Sequence, residues 1–154
     1  MPLPMEVAMK VKEIMTQGPA TLGPEAMLGE AAMLMRQEDC GSIPIVDDGR
    51  LVGIITDRDI VVRAIAAGKD PKKTRISEIM SADPITVRAD DSVDTAERAM
   101  RERQVRRLPV VEDGKLVGIL VTAQLARNDS ERETGETIKE ISEPASGRGS
   151  HARG

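Results

Sequence analysis

Four short runs in this chain are apolar at nearly every position: Ile43-Pro-Ile-Val46, Leu51-Val-Gly-Ile-Ile55, Leu108-Pro-Val-Val111 and Leu116-Val-Gly-Ile-Leu120. Asp48-Gly49 separates the first two and Asp113-Gly114 the last two. Such dipeptides tolerate positive φ at both central turn positions, so each pair of runs reads as a β-hairpin. Strands apolar on both faces need cover on both faces. Helical stripes stand ready to supply it. Leu28, Ala31, Ala32 and Met35 fall at i, i+3, i+4 and i+7, one side of an amphipathic helix. Val93, Ala96 and Met100 repeat the stripe, with Ser92 placed to cap it. Residues 57–67 read as a further helix with Ile60, Val61, Ala64 and Ile65 inward and Gly68 as its stop. Thr21-Leu22 and Thr86-Val87 read as short extended pieces.

The pattern is duplicated. Shifted by 65 positions, Val11–Ile60 lies over Ile76–Leu125 without a gap and with 16 identities in 50 positions. Both copies carry the same Asp-Gly-x-Leu-Val-Gly-Ile run, at Asp48–Ile54 and Asp113–Ile119. The fold class is therefore mixed α/β (α+β), with two tandem β-α-β-β-α repeats packed with pseudo-twofold symmetry. The expected organisation is repeat one over 1–69, a polar linker at 70–75, repeat two over 76–130, and a polar tail, partly disordered, at 131–154. Each copy alone is too small to bury much surface, so the two should share cover.

Composition narrows the function. With 40% hydrophobic and 31% charged residues the chain has the balance of a soluble globular protein. No run approaches the ~20 apolar residues of a membrane span, and the N-terminus does not read as a signal peptide. A single cysteine, Cys40, rules out an intrachain disulfide framework and points to a reducing, cytoplasmic setting. A net charge of −4 argues against nucleic acid as a partner. So does the complete lack of Phe, Tyr and Trp, which removes any stacking platform. No nucleophile–base pair, metal-ligand cluster or P-loop is present, so catalytic and metal residues are expected to be none.

Ile14-Met-Thr16 and Ile79-Met-Ser81, Gly41-Ser-Ile-Pro-Ile-Val46, Val105-Arg-Arg-Leu-Pro-Val-Val111 and Gly53-Ile-Ile-Thr-Asp-Arg-Asp-Ile60 together resemble a tandem cystathionine-β-synthase (CBS) domain pair, the Bateman module, of the stand-alone type. The resemblance covers about residues 10–127. It implies a regulatory module, not an enzyme, that binds AMP, ADP or ATP, or else S-adenosylmethionine or NADH, between its repeats, with no required cofactor. It also implies a homodimer joined through helices and a protein target that the sequence does not identify. In such pairs a Gly-x-x-Thr-x-x-Asp element holds the sugar, which here assigns the ribose to Thr56 and Asp59. Gly41, Ser42 and Ile54 complete that side. Pro84, Ile85, Val105 and Ile119 surround the base, and Arg58, Arg106 and Arg107 are cations for phosphate.

Plainer readings stand beside these. Thr56-x-x-Asp59 before an apolar helix also resembles a capping box, with Asp in place of the usual Glu or Gln. Arg106-Arg107 can be a solvated pair, Cys40 a small buried hydrophobe, and Gly53 and Gly118 sites of close packing only. A ligand-free dimerisation scaffold is thus the alternative function. Repeat two carries Val121 and Gln124 where repeat one has Thr56 and Asp59. The mate site, involving Gly18, Ala20 and Cys40, is expected to be weak or empty.

Overall fold

The computed structural model describes residues 9–126, and the expected tail lies outside them. The chain divides into two compact units, and the division does not follow the repeats alone. Among the described residues, one unit is Pro19–Pro84 with Gly114–Leu116; the other joins residues 9–18 to Ile85–Asp113 and to residues 117–126. Each repeat thus packs with a leader that is not its own. The leader of repeat one belongs to the unit of repeat two, and the leader of repeat two stays with repeat one.

In the first-repeat unit, helix α2 (Leu28–Glu38) precedes the hairpin β2 (Ser42–Asp47) and β3 (Arg50–Thr56). Asp48 and Gly49 take φ of 56° and 82°, the two positive values that a tight hairpin turn with the strands' own twist requires. The π-helical α3 (Asp59–Ile65) follows, and then a single 3₁₀ turn at Ile76–Glu78. Strand β4 (Ser81–Ala82) pairs antiparallel with β3 through Gly53 and Ile54. Thr21-Leu22 makes less of a strand than its pattern suggests: only Leu22 bridges to Ile45, because Gly23-Pro24 ends the extension. The core is Leu28, Ala31, Met35, Ile43, Ile45, Ile55, Ile60, Ala64, Ile76 and Ile79. The expected polar linker is packed into this unit. Thr74 is 6% exposed, its carbonyl accepts from Leu28 N–H at 2.9 Å, and Pro71 carbonyl accepts from Gly29 N–H at 3.0 Å.

Two helical stripes differ from expectation. In α2, Ala32 is exposed, and Leu34 is half-buried instead. In α3, Ile60 and Ala64 are buried, but Val61 and Ile65 are 58% and 50% exposed, joined by Val62 at 47%. Ala66 N–H bonds Val61 carbonyl and Lys69 N–H bonds Ala64 carbonyl, an i→i+5 ladder. The widened turn keeps only the 60/64 line against the core, where a 3.6-residue period would bury a broader stripe.

The second-repeat unit has the parallel arrangement. Leader helix α1 (Val11–Ile14) and β1 (Thr16–Gln17) come first, and β1 pairs antiparallel with β7 (Lys115–Val121). Strand β5 (Val87–Arg88) runs parallel to β6 (Arg107–Glu112). Helix α4 (Val93–Arg103) is capped by Ser92, whose side chain accepts from Thr95 N–H, as its sequence indicates. Asp113 and Gly114 repeat the positive-φ turn at 53° and 80°. Residues 122–126 are helical, with Leu125 in the core beside Val11, Val93, Ala96, Met100, Leu108, Val110 and Leu120. The leader is tied down firmly. Val11 is fully buried, its N–H donates to Asp91 carbonyl at 2.9 Å, and Lys12 N–H donates to Ala89 carbonyl at 2.9 Å. Lys12 Nζ also lies 3.0 Å from Asp90 Oδ1, which raises the lysine pKa and lowers that of the carboxyl, both groups remaining exposed.

Candidate functional site

The Thr-x-x-Asp element sits where β3 turns into α3. Asp59 N–H donates to Thr56 Oγ1 at 3.0 Å, and Asp59 Oδ2 accepts from Thr56 N–H at 3.1 Å. These reciprocal bonds form a complete capping box, so Asp serves where Glu or Gln is usual. Asp59 is only 15% exposed, with Arg63 Nη1 at 3.8 Å from its other oxygen, Oδ1. Among the described residues no donor comes within hydrogen-bond distance of Oδ1. A carboxylate carries about four acceptor positions, so one oxygen caps the helix while the other stays open to a hydroxyl. Thr56 Oγ1 already accepts one bond, which leaves its proton to be donated elsewhere.

Around this turn the backbone brings together several of the expected residues. Ser42, 6% exposed, opens β2 directly across from Thr56 in the hairpin register. Asp57 N–H donates to the carbonyl of buried Gly41 at 2.9 Å, closing the loop before β2 onto the start of α3. Ile54 is half-buried two residues before Thr56, on the same side of β3. Arg58 is exposed on the first turn after β3. Pro84 is half-buried and ends this unit, thirty residues along from Ile54. Cys40 packs at the edge of the core, with its thiol donating toward Ser42 carbonyl at 3.5 Å.

The other expected residues belong to the second-repeat unit. Ile85 and Val105 are half-buried and pack against its core. Arg106 is exposed, and its carbonyl accepts from Thr122 N–H at 3.0 Å, the counterpart of the Gly41–Asp57 bond. Arg107 is half-buried at the start of β6, and Ile119 is 5% exposed and paired with Thr16.

The two repeats diverge at the turn itself. Val121 N–H donates to Gln124 Oε1 at 2.9 Å, half of the box that Thr56 and Asp59 complete. Gln124 Nε2 donates to Thr16 Oγ1 of the leader segment, so both ends of this amide are engaged. Sequence reasoning missed this tie, because Thr16 lies 108 residues away and belongs to the other repeat's leader.

The two glycines of the Leu-Val-Gly-Ile runs have a packing reason. A Cβ on Gly53 would meet Met80 Sδ at 2.6 Å and Ser81 carbonyl oxygen at 2.9 Å. On Gly118 it would meet Met15 Sδ at 2.6 Å and Thr16 carbonyl oxygen at 2.9 Å. In each unit the Ile-Met-Ser/Thr leader of one repeat crosses directly over the glycine of the other.

The CBS domain family model matches residues 11–65 and 76–130. The chain is 39% identical over 134 residues to Hypoxic response protein 1 of Mycobacterium tuberculosis, covering 86% of this chain and 94% of that protein. A crystal structure of that protein holds two coordinated zinc ions and superposes with a TM-score of 0.71 at 40% identity, covering 77% and 97%. Among the described residues here, no group of three or more His, Cys, Asp or Glu side chains could hold a metal. The CBS domain pair of protein MJ0100, solved with 5′-methylthioadenosine and S-adenosyl-L-methionine, is 33% identical with a TM-score of 0.71, covering 82% and 99%. CBSX2, solved with AMP, is 27% identical with a TM-score of 0.72, also covering 82% and 99%. No helix among the described residues is long and apolar enough to cross a membrane.

Proposed function

This chain belongs to the CBS domain family as a tandem pair, and on that premise we propose that it is a regulatory module that binds one adenosine-containing ligand and acts on a separate protein. The observation that carries the reading is the Thr56–Asp59 turn. It presents an open carboxylate oxygen and a hydroxyl with an undirected proton, side by side and preset by the capping bonds. A vicinal diol matches that pair: its hydroxyls donate to Asp59 Oδ1 in charge-assisted bonds roughly twice as strong as neutral ones. The ligands in the MJ0100 and CBSX2 structures share adenosine, the moiety that carries such a diol.

In this reading Thr56 and Asp59 take the ribose, with Gly41, Ser42 and Ile54 beside them. Pro84, Ile85, Val105 and Ile119 receive the base. Arg58, Arg106 and Arg107 face the phosphates of AMP, ADP or ATP. The second turn, with Val121 apolar and Gln124 already bonded at both ends, lacks the same grip. The module regulates and catalyses nothing itself; it works in the reducing cytoplasm as a homodimer. The dimer is supported by the exposed apolar side of α3, since Val61, Val62 and Ile65 gain most from burial against a second copy.

A thermal-shift panel of AMP, ADP, ATP, S-adenosylmethionine and NADH tests the reading. At a hundredfold excess over Kd, linkage gives about 2.7 kcal/mol, or several degrees for a chain of this size. A melting temperature indifferent to every adenosine compound would favour the ligand-free scaffold.

A further inference from the structure

Five of the eleven residues 97–107 are arginines, in a chain whose net charge is −4. Arg98, Arg101 and Arg103 lie on the C-terminal half of α4, and Arg106 and Arg107 follow at once. All are exposed except half-buried Arg107. Among the described residues, Arg98, Arg101 and Arg103 make no ion pair. Arg98 and Arg101 are helix neighbours three apart, where like charges repel. The negative end of the helix offsets this in part for Arg101 and Arg103, but Arg98 lies a turn further back. The fold itself does not ask for these arginines. At the equivalent positions of repeat one stand Met33, Arg36, Glu38, Gly41 and Ser42, on a helix of the same length ending in the same left-handed residue. Repeat one keeps only Arg36 of these five, and in residues 93–107 the five arginines outnumber Asp94, Glu97 and Glu102, which leaves a net charge of +2.

The chain carries an opposite charge close at hand. Leu125 is buried in the same core cluster as Met100 of α4, with Val105 packed against it, so the described chain ends near the arginine-bearing end of that helix. The continuation at 128–143 holds six acidic residues against two basic ones. Its sixteen residues span up to about 53 Å when extended, against roughly 16 Å for α4. A tethered segment of this length has an effective concentration on the order of millimolar, so individually weak ion pairs suffice to hold it. We propose that the acidic segment 128–143 docks around the arginine-bearing C-terminal end of α4 in its own chain. Arg98, Arg101 and Arg103 are not among the residues assigned to the ligand, so this interaction stands apart from the proposed function.

The test uses the full chain and a lysine-specific endoprotease that cuts after Lys139. In about 20 mM salt the wild-type cut should be slow, and raising salt to about 500 mM, where charges are screened within a few ångströms, should speed it. R101E/R103E should speed the low-salt cut about threefold to tenfold, as expected for a few exposed ion pairs. R36E, the same helix position in repeat one, should leave it at the wild-type rate. Arginines placed at 131, 133 and 136 in the R101E/R103E background should restore protection. Should the double reversal disturb the fold by circular dichroism, R101Q/R103Q carries the same comparison. Equal rates in wild type and the α4 variants overturn the proposal. Protection that rises with protein concentration also overturns it, by assigning the helix end to a neighbouring copy.

Discussion

Thr56 and Asp59 each satisfy the other's backbone, Asp59 N–H on the threonine hydroxyl and Thr56 N–H on the aspartate carboxylate. The same two side chains therefore end a strand, start a helix and present a polar pair to whatever lies beyond. Structure and binding are superposed on one turn, and substitutions must be chosen to separate them.

Asn can stand in for Asp at this third helical position, since its amide oxygen can still accept from Thr56 N–H. Asp59→Asn should therefore keep the stability of the ligand-free protein within about 0.5 kcal/mol. Asp59→Ala keeps the Thr56 cap but loses the bond from Thr56 N–H, and should cost about 1 kcal/mol. Urea melts of both variants check this. Equal losses would mean that the asparagine oxygen does not replace the carboxylate on Thr56 N–H.

Gly53→Ala should destabilise by about 1–3 kcal/mol, because the new methyl overlaps Met80 Sδ and the fixed carbonyl of Ser81. Gly118→Ala meets the same obstruction from Met15 and Thr16. Thermal melts of the two variants should fall together. A neutral Gly53→Ala would show that the crossing segment moves aside freely.

Much of this fold was legible because its signals are local. The apolar runs around Asp48-Gly49 and Asp113-Gly114 state both strands and turn within a dozen residues, and Ser92 announces the start of α4. The capping potential of Thr56-x-x-Asp59 could also be read from spacing. The exchange of leaders could not, since nothing in Val11–Gln17 says which copy of a duplicated sheet it will join. The Gln124–Thr16 bond depends on that exchange and stayed hidden with it. The outward turn of Val61 and Ile65 depends on an i→i+5 ladder, whereas apolar spacing was read with a period of 3.6. The crowding at Gly53 becomes visible only once Met80 is laid across it.

The exposed α3 residues predict an assembly. The wild-type chain should sediment as a dimer, and Val62→Glu with Ile65→Glu should give a folded monomer, because two charges cannot be buried unpaired. Analytical ultracentrifugation decides between them. A monomeric wild type would leave 58% exposed Val61 and its neighbours without the proposed cover.

The divergence of the repeats predicts stoichiometry. The native chain should bind one ligand tightly, and Val121→Thr with Gln124→Asp should add a second site. The change frees Thr16 from its amide partner, at a cost of about 1 kcal/mol in stability. Calorimetric titration reads the number of sites directly. Two equal sites in the native chain would mean that Val121 and Gln124 are no obstacle.

The claim at the centre is that Asp59 holds a ribose, and one calorimetric double-mutant cycle tests it most directly. The strongest adenosine ligand and its 2′-deoxy analogue are titrated into wild type and Asp59→Asn. Hydrogen bonds to a charged group contribute roughly 1.5–3 kcal/mol, so wild type should lose one to two decades of affinity when the hydroxyl is removed. Asp59→Asn should bind the parent ligand that much more weakly and discriminate little between the two compounds. Undiminished discrimination in Asp59→Asn, or equal binding of both compounds by wild type, would contradict the assignment.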